Sequence, residues 1–482
     1  MALLKGIRKD TTLTAALALW GVYFLILLLT SYRTHFAILA NDAIPLLFQA
    51  ENLSWSDMRS FYNGFFPIGY PATLRLLLIF GREHIDALGV VLNLILAFAM
   101  IWGLLKAYTL KLSIYWAVLA VTVTLFLPEM LRGALSLRPD LIVAVLASVA
   151  LMAYQRERYA LAGAMLGIAC LYRTHALALF VAFVIACLLF RNWRHCLKMM
   201  LWATPFLILQ GVLNLAAGET FFASAQGYNI AKMIQGTGWR DDTVIVPSVV
   251  EVISDHPIEV FNAYIHHLLK EWYYLIPLIA GLFVVRSREI ALIALLYLLA
   301  VGLGASPRGS LPVQAYVAMT LAFIIAPRIP EPRKRGARLV PVVLSVAIVF
   351  FSSLLLMRSA ENARDRIERY RTLGEGVGLR RPDDAKQVLT DDFALYFPQI
   401  ENAAPYVNGG WGPIGIPTYR ERVPQFMQSD PAALRDSLMK NHVQLIVLKQ
   451  PSTDTRLELA VKDSSNFVRQ ADVSGYAVYK VR

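Results

Sequence analysis

Eleven apolar stretches govern what this chain can fold into. They lie near residues 12–30, 85–105, 112–128, 140–154, 159–172, 174–190, 199–217, 272–285, 290–305, 311–327 and 339–357. A helix crosses a bilayer core with about 20 apolar residues, within a range near 17–25. Composition supports the same class: hydrophobic residues make up 57%, charged residues 17%, and the mean hydropathy is +0.52. Soluble domains are about 45–50% apolar and about 25% charged. The sequence therefore predicts a polytopic α-helical membrane protein of about 11 transmembrane helices. It excludes a disordered chain, a disulfide scaffold and a conventional soluble enzyme.

Basic residues orient the spans. With the N-terminus inside, the inner segments hold 17 Lys+Arg in 43 residues, and the outer connections hold 11 in 128. That bias follows the positive-inside rule. It predicts a cytoplasmic N-terminus and two long outer loops, 31–83 and 218–270, with the polar tail 358–482 also outside. The net charge of +12 belongs mostly to the membrane part, since the tail carries 18 Lys+Arg against 16 Asp+Glu. No basic stripe is interleaved with aromatics, so nucleic acid is not a partner. Cys170, Cys187 and Cys196 all precede the tail, which therefore has no internal disulfide.

Residues 159–190 read as a tight helical hairpin, because one long helix would leave Arg173 deep in lipid. The hairpin puts Arg173 and His175 at the outer surface. Gly163 and Gly167 form a small-xxx-small pair suited to helix packing. In the first outer loop, Ala43–Leu53 and Pro71–Gly81 are apolar but too short to span. Trp55, Phe61, Tyr62, Phe65, Phe66 and Tyr70 suit a headgroup-level aromatic belt. The sequence divides into a transmembrane domain over 1–357 and an extracytoplasmic helix plus small α/β domain over 358–482. In the latter, a charged helix over Arg358–Leu373 stops at Gly374 and carries an Asp365/Arg369 pair. A strand at Gln387–Thr390 and a Gly-rich turn at Asn408–Gly415 follow. Asp430-Pro431 announces a helix as N-cap and N1. A strand covers Gln444–Lys449, and Phe467–Tyr479 holds two strands around Ser474-Gly475.

There is no Walker loop, strand-linked GxGxxG, HExxH, CxxC or GxSxG. His266 and His267 are neighbours on a helix and point about 100° apart, so they read as an interfacial cap rather than metal ligands. Asp241-Asp242 reads as a solvated turn. What remains are ionisable groups at the outer edge, where charge is costly unless used or paired. Asp42 lies in Ala40-Asn41-Asp42-Ala43 and Asp140 in Arg138-Pro139-Asp140. Each reads as a helix N-cap or as a functional acid.

The order of these features resembles a known family. A first helix precedes a long outer loop with an early Asp. Gly64-Phe65-Phe66-Pro67-Ile68-Gly69-Tyr70-Pro71 then leads to Gly81, and an Asp precedes the fourth span. Gly163–Arg173 comes next, and Pro307-Arg308-Gly309-Ser310-Leu311-Pro312 stands near the last core spans. Over roughly residues 10–330 the chain resembles the GT-C glycosyltransferase superfamily, on the side of the protein mannosyltransferases and the lipid A aminoarabinose transferases. The resemblance implies transfer of a monosaccharide from a polyprenyl-phosphate donor to a glycan, lipid or protein acceptor on the outer face. It implies that Asp42 is the general base or the acceptor-orienting group, that Asp140 is the second acid, which helps hold a metal or the acceptor, and that Arg173 and Arg308 bind the donor phosphate. Glu129, Tyr70 and His175 are candidates for the acceptor side of the cavity. A divalent cation (Mg or Mn) would be held by Asp42 and Asp140, and the setting would be a bacterial inner membrane.

The chemistry fits those residue types. Arg presents a fork to phosphate oxygens, a carboxylate can take the proton from an attacking hydroxyl, and single displacement inverts the anomeric centre. The chain departs from the family pattern at Phe66-Pro67-Ile68, where a Lys-Pro-Pro stretch is usual, and at Gly309, where an aromatic is usual. No strict acidic pair surrounds Asp42. Competing classes are a secondary transporter or lipid flippase, which predicts ionisable groups at mid-membrane and repeat symmetry, and an O-antigen ligase or polymerase.

Overall fold

The computed structural model describes residues 11–34, 43–51, 53–54, 56, 62, 66–81, 84–223, 230, 234, 249–269, 272–284, 287–303, 311–329, 335–377, 388–390, 430–440, 443–450, 455–462, 465–473 and 475–482. The first part of the chain is helical: α1 (Thr11–Thr34), α2 (Ala43–Glu51), α3 (Gly69–Leu77), α4 (Ile85–Tyr108), α5 (Ile114–Leu125), α6 (Pro128–Ala134), α7 (Asp140–Gln155) and α8 (Tyr159–Cys170). Then come α9 (Ala176–Phe190), α10 (Trp193–Ala216), α11 (Val249–Asp255), α12 (Pro257–Leu269), α13 (Trp272–Leu282), α14 (Arg288–Gly302), α15 (Leu311–Ile325) and α16 (Arg335–Val377). The remainder alternates as β1 (Val388–Thr390), α17 (Pro431–Lys440), β2 (Leu445–Lys449), α18 (Thr455–Lys462), β3 (Phe467–Val473) and β4 (Tyr476–Val481).

Among the described residues, four helical stretches are long and apolar enough to cross a membrane: Thr11–Tyr32, Ile85–Tyr108, Trp193–Ala216 and Arg338–Glu361. A fifth arises if α5 and α6, bent by 66°, count as one span. The hydropathy pattern predicts one span near 112–128; that stretch is bent, and the bend has a local cause. Leu127 precedes Pro128, which disfavours helical backbone at Leu127. That residue is extended (φ −60°, ψ 141°), and Pro128 then opens α6. Helices α7, α8, α9 and residues Ala315–Ile325 of α15 are apolar but shorter.

The expected hairpin between α8 and α9 is present, with its turn at residues 171–175. Helix α8 lies against α10 through the glycine pair. A Cβ on Gly163 would stand 2.1 Å from the Met199 carbonyl oxygen, and one on Gly167 2.9 Å from that of Ala203. Only hydrogen at these positions allows the two backbones to approach so closely.

Two expectations about the first long connection and the tail need correction. Tyr62, Phe66 and Tyr70 are buried rather than arrayed as an interfacial belt; Trp55, Phe61 and Phe65 lie outside the described residues. Helix α16 runs without a break from its apolar stretch through Gly374 to Val377, so Gly374 does not stop it. Asp365 and Arg369 both lie on α16; the Arg369 side chain and the turn at 408–415 lie outside what is described.

The four-stranded sheet has the order β1-β2-β4-β3. β1 and β2 are parallel, and the other pairs are antiparallel. The β3–β4 hairpin turns through Gly475 at φ +83°, a conformation open to glycine at no steric cost. Asp430 caps α17 as the sequence predicts, its Oδ2 accepting from the Ala433 N–H at 3.0 Å. Alternate residues of the sheet face opposite ways, and both faces are covered. Ile446, Leu448, Ala477 and Tyr479 pack with α17 and α18. Val447, Tyr476 and Val478 pack on Leu46, Leu47 and Ala50 of α2, and on Tyr70 and Leu74 of α3. The sheet therefore sits directly on the two short helices of the first long connection.

Candidate functional site

Asp140 is the first residue of α7, with Pro139 at the N-cap and no side-chain bond capping the helix. The carboxylate is not used as a cap. It is buried, with 4% exposure, and lies between two guanidinium groups. Arg173 Nε donates to Oδ1 at 3.2 Å, and its Nη2 stands 3.1 Å from the same oxygen. Arg138 Nε is 3.1 Å from Oδ2, in ion-pair contact rather than an aligned hydrogen bond. The triplet carries one net positive charge in a largely desolvated place. Breaking such a pair costs several kcal/mol, because the remaining charges lose their counter-ion in a low-dielectric setting.

Backbone bonds hold both arms of the triplet. On the Arg138 side, Asn93 Nδ2 donates to the Ala134 carbonyl at 2.9 Å, and Ser136 Oγ donates to that of Gly133 at 3.0 Å. On the Arg173 side, the Tyr172 and Arg173 N–H groups both reach the Ala169 carbonyl at 3.0 Å. Helix α3 is latched to this turn twice. The Gly69 N–H donates to the Leu171 carbonyl at 2.7 Å, and Thr73 Oγ1 and Tyr172 Oη are 3.1 Å apart. A Cβ on Gly69 would lie 2.6 Å from the Leu171 oxygen, so a side chain there is excluded by contact.

Tyr70 comes from α3, buried and within electrostatic range of Asp140, Arg138 and Arg173. His175 closes the turn, and its ring lies 6.3 Å from that of Tyr297 on α14. Arg173 and His175 are at the turn as the sequence predicts, yet they fold inward instead of lying on an open surface; the Arg173 side chain is 15% exposed. Tyr70 Oη, His175 Nε2 and Tyr297 Oη are buried without a hydrogen-bond partner among the described residues. Buried polar atoms are rarely left so unless a ligand or water meets them.

The structure thus gathers Asp140, Arg173, Tyr70 and His175 from the sequence-derived set. Glu129 is half-buried in the first turn of α6, and no hydrogen bond or ion pair among the described residues joins it to Asp140 or Arg173. Asp42 and Arg308 lie outside the described residues. Sequence reasoning passes over Arg138, Tyr172 and Tyr297. Arg138 carries a signal, being two residues before Asp140 across a proline. Tyr297 carries none, because a tyrosine in an apolar helix looks like core.

The donor set at Asp140 does not fit a divalent cation. Both its oxygens face guanidinium groups, whose charge would repel a dication, and no group of three His, Cys, Asp or Glu side chains converges among the described residues. Among the described residues, His266 and His267 on α12 join no such cluster either.

No family model and no curated protein matches the chain at the level of sequence. Solved structures do match. The crystal structure of ArnT from Cupriavidus metallidurans bound to undecaprenyl phosphate aligns with a TM-score of 0.54 at 14% identity, covering 96% of this chain and 97% of that one. The apo crystal structure of ArnT from the same organism aligns with a TM-score of 0.59 at 15% identity, covering 97% and 98%. Over almost its whole length, this chain has the fold of these ArnT structures.

Proposed function

We propose that the chain is a glycosyltransferase of the GT-C type, moving a monosaccharide from a polyprenyl-phosphate donor to an acceptor on the outer face of the membrane. The observation that carries this reading is the pair of guanidinium groups, Arg173 and Arg138, braced by buried Asp140 in a fold also found in a protein crystallised with undecaprenyl phosphate. Fixed cations are what a lipid phosphate needs, and a fork already oriented by a carboxylate loses less freedom on binding.

In this mechanism the acceptor hydroxyl attacks C1 of the sugar from the side opposite the phosphate. The C1–O bond to the phosphate breaks, its electron pair leaving with polyprenyl phosphate, and the anomeric centre inverts. Asp42 takes the hydroxyl proton as base. Arg173 and Arg308 stabilise charge on the departing phosphate. Asp140 serves by holding Arg173 and Arg138 in place. Tyr70 and His175 offer buried polar atoms toward the sugar or acceptor, and Glu129 borders the acceptor side. The two guanidinium groups on Asp140 give no basis for routing a step through Mg or Mn. The acceptor is a glycolipid, a polysaccharide or a protein.

In this reading α7, α8, α9, α13, α14 and α15 join the five longer spans to make eleven in a bacterial inner membrane, with the N-terminus cytoplasmic and the 358–482 domain periplasmic. The bias of Lys and Arg toward one set of connections supports that orientation.

The test compares envelope glycans and lipids, by mass, from cells lacking the protein and complemented with wild type or Asp42→Asn at matched membrane levels. Wild type is expected to restore one saccharide unit and Asp42→Asn to fail. Equal restoration by both would remove Asp42 from the chemistry and bring the transporter reading forward.

A further inference from the structure

Away from the Asp140 triplet, another polar cluster is buried where α10 ends. Asn214, at 1% exposure, uses its whole amide. Its Oδ1 accepts from Tyr62 Oη at 3.0 Å and from Gln210 Nε2 at 2.9 Å. Its Nδ2 donates to the Phe221 carbonyl at 3.0 Å and to the Ala223 carbonyl at 3.2 Å. A primary amide offers two donors and two acceptor sites, and here all four are taken. Rotating the amide by 180° would aim its oxygen at two carbonyl oxygens, so only one orientation satisfies the site. Gln210 adds two links to the other side: its Nε2 donates to Tyr62 Oη, and its Oε1 accepts from the Ile68 N–H at 3.4 Å.

The partners come from two different connections. Tyr62 and Ile68 belong to the stretch between α2 and α3, while Phe221 and Ala223 belong to the stretch after α10. Ile68 is followed by Gly69, whose N–H is bonded to Leu171 in the turn that carries Arg173. Because Gly69 sits against that carbonyl without room for a Cβ, a shift of residues 68–69 presses directly on the turn.

We infer that Asn214 and Gln210 are positioning residues: they tie the two long connections to one point on α10 and, through Ile68 and Gly69, set the turn that presents Arg173. The tie rests on this geometry alone. Its consequence for donor binding rests on the function proposed above.

Three substitutions separate the links. Asn214→Leu keeps the shape and removes every bond. Asn214→Asp keeps the acceptor toward Tyr62 and turns the opposite edge into an oxygen facing two carbonyls. Tyr62→Phe removes the hydroxyl through which the first connection meets Asn214 and Gln210, leaves Ile68 on Gln210, and is mild enough to keep the fold. The measurement is amide hydrogen exchange on the intact protein in lipid nanodiscs, read in peptides covering 66–74, 171–175 and 218–223, alongside binding of undecaprenyl phosphate.

Asn214→Leu is expected to speed exchange on the order of tenfold in all three segments, the loss of a buried hydrogen-bond partner being of that size. Tyr62→Phe should speed exchange in 66–74 and 171–175 and leave 218–223 protected. Asn214→Asp should do the reverse. If Asn214→Leu releases only 218–223, Asn214 is a loop cap and the positioning role is overturned. If exchange changes as expected but undecaprenyl phosphate binding is unaltered in every variant, the tie stands and the donor-binding reading fails.

Discussion

Arg173 Nη2 and Asp140 Oδ1 meet at 3.1 Å across the gap between the α8–α9 turn and the first residue of α7. This contact joins two helical elements 33 residues apart in sequence and fixes the direction of the guanidinium. Asp140→Ala is expected to lower stability by about 3–5 kcal/mol in the fully buried limit, and by less here because Arg138 and Arg173 keep some contact with solvent. Thermal unfolding in detergent, with Arg173→Ala and the double variant, checks it. The double variant should cost less than the two single changes added together, since losing Asp140 leaves two facing guanidinium groups and losing Arg173 as well relieves their repulsion.

The glycine contact between α8 and α10 gives a size-graded prediction. Gly163→Ala should already destabilise, by about 1–3 kcal/mol, because the methyl group meets backbone rather than a yielding side chain. Gly163→Leu should abolish accumulation of folded protein in the membrane. Gly336, with nothing within 4 Å of a built Cβ, is the control position, where alanine should be tolerated. Quantitative immunoblotting of membrane fractions reads all three.

The two faces of the small sheet predict different failures. Val478→Asp places a charge between β4 and helices α2 and α3, and is expected to loosen residues 43–51 and 66–81 while α17 and α18 stay folded. Ala477→Asp faces α17 and α18 and should unfold the sheet itself. Limited proteolysis followed by mass mapping tells the two patterns apart.

The end of the bundle away from Asp140 has its own lock. Glu289 at the start of α14 receives Arg191 Nε and Nη2 at 2.9 Å, and also Tyr154 Oη. These groups join α7, α9 and α14. Glu289→Gln is expected to destabilise by about 1.5–3 kcal/mol, the range for a charge-assisted bond. Tyr154→Phe should cost less, because the Arg191 fork is kept. Chemical denaturation followed by tryptophan fluorescence provides the check.

Elements that depend on neighbours along the chain are legible in the amino-acid sequence. The 171–175 hairpin turn follows from the cost of burying Arg173 in lipid. The Gly163/Gly167 contact follows from their spacing, and the α17 start from Asp430-Pro431. What escapes such reading depends on distant partners. Asp140 looks like an N-cap in sequence because caps and buried acids share the same residue types; only the return of α8 brings Arg173 to it. Tyr62 and Tyr70 look like interfacial aromatics until α10 and the sheet cover them. The continuation of α16 through Gly374 also overrides a local signal, since one glycine costs a helix only about 1 kcal/mol.

Helix α16 has 43 residues and carries the chain without a break from an apolar stretch into the polar one that precedes β1. At about 1.5 Å per residue it is a strut about 65 Å long. A rigid helix transmits angle as well as distance: one inserted residue turns everything beyond it by about 100°, whereas seven bring it back to within about 20°. The direction in which α16 hands the chain on is therefore a matter of helical phase, and insertions into α16 should be tolerated by their remainder after division into turns, not by their length.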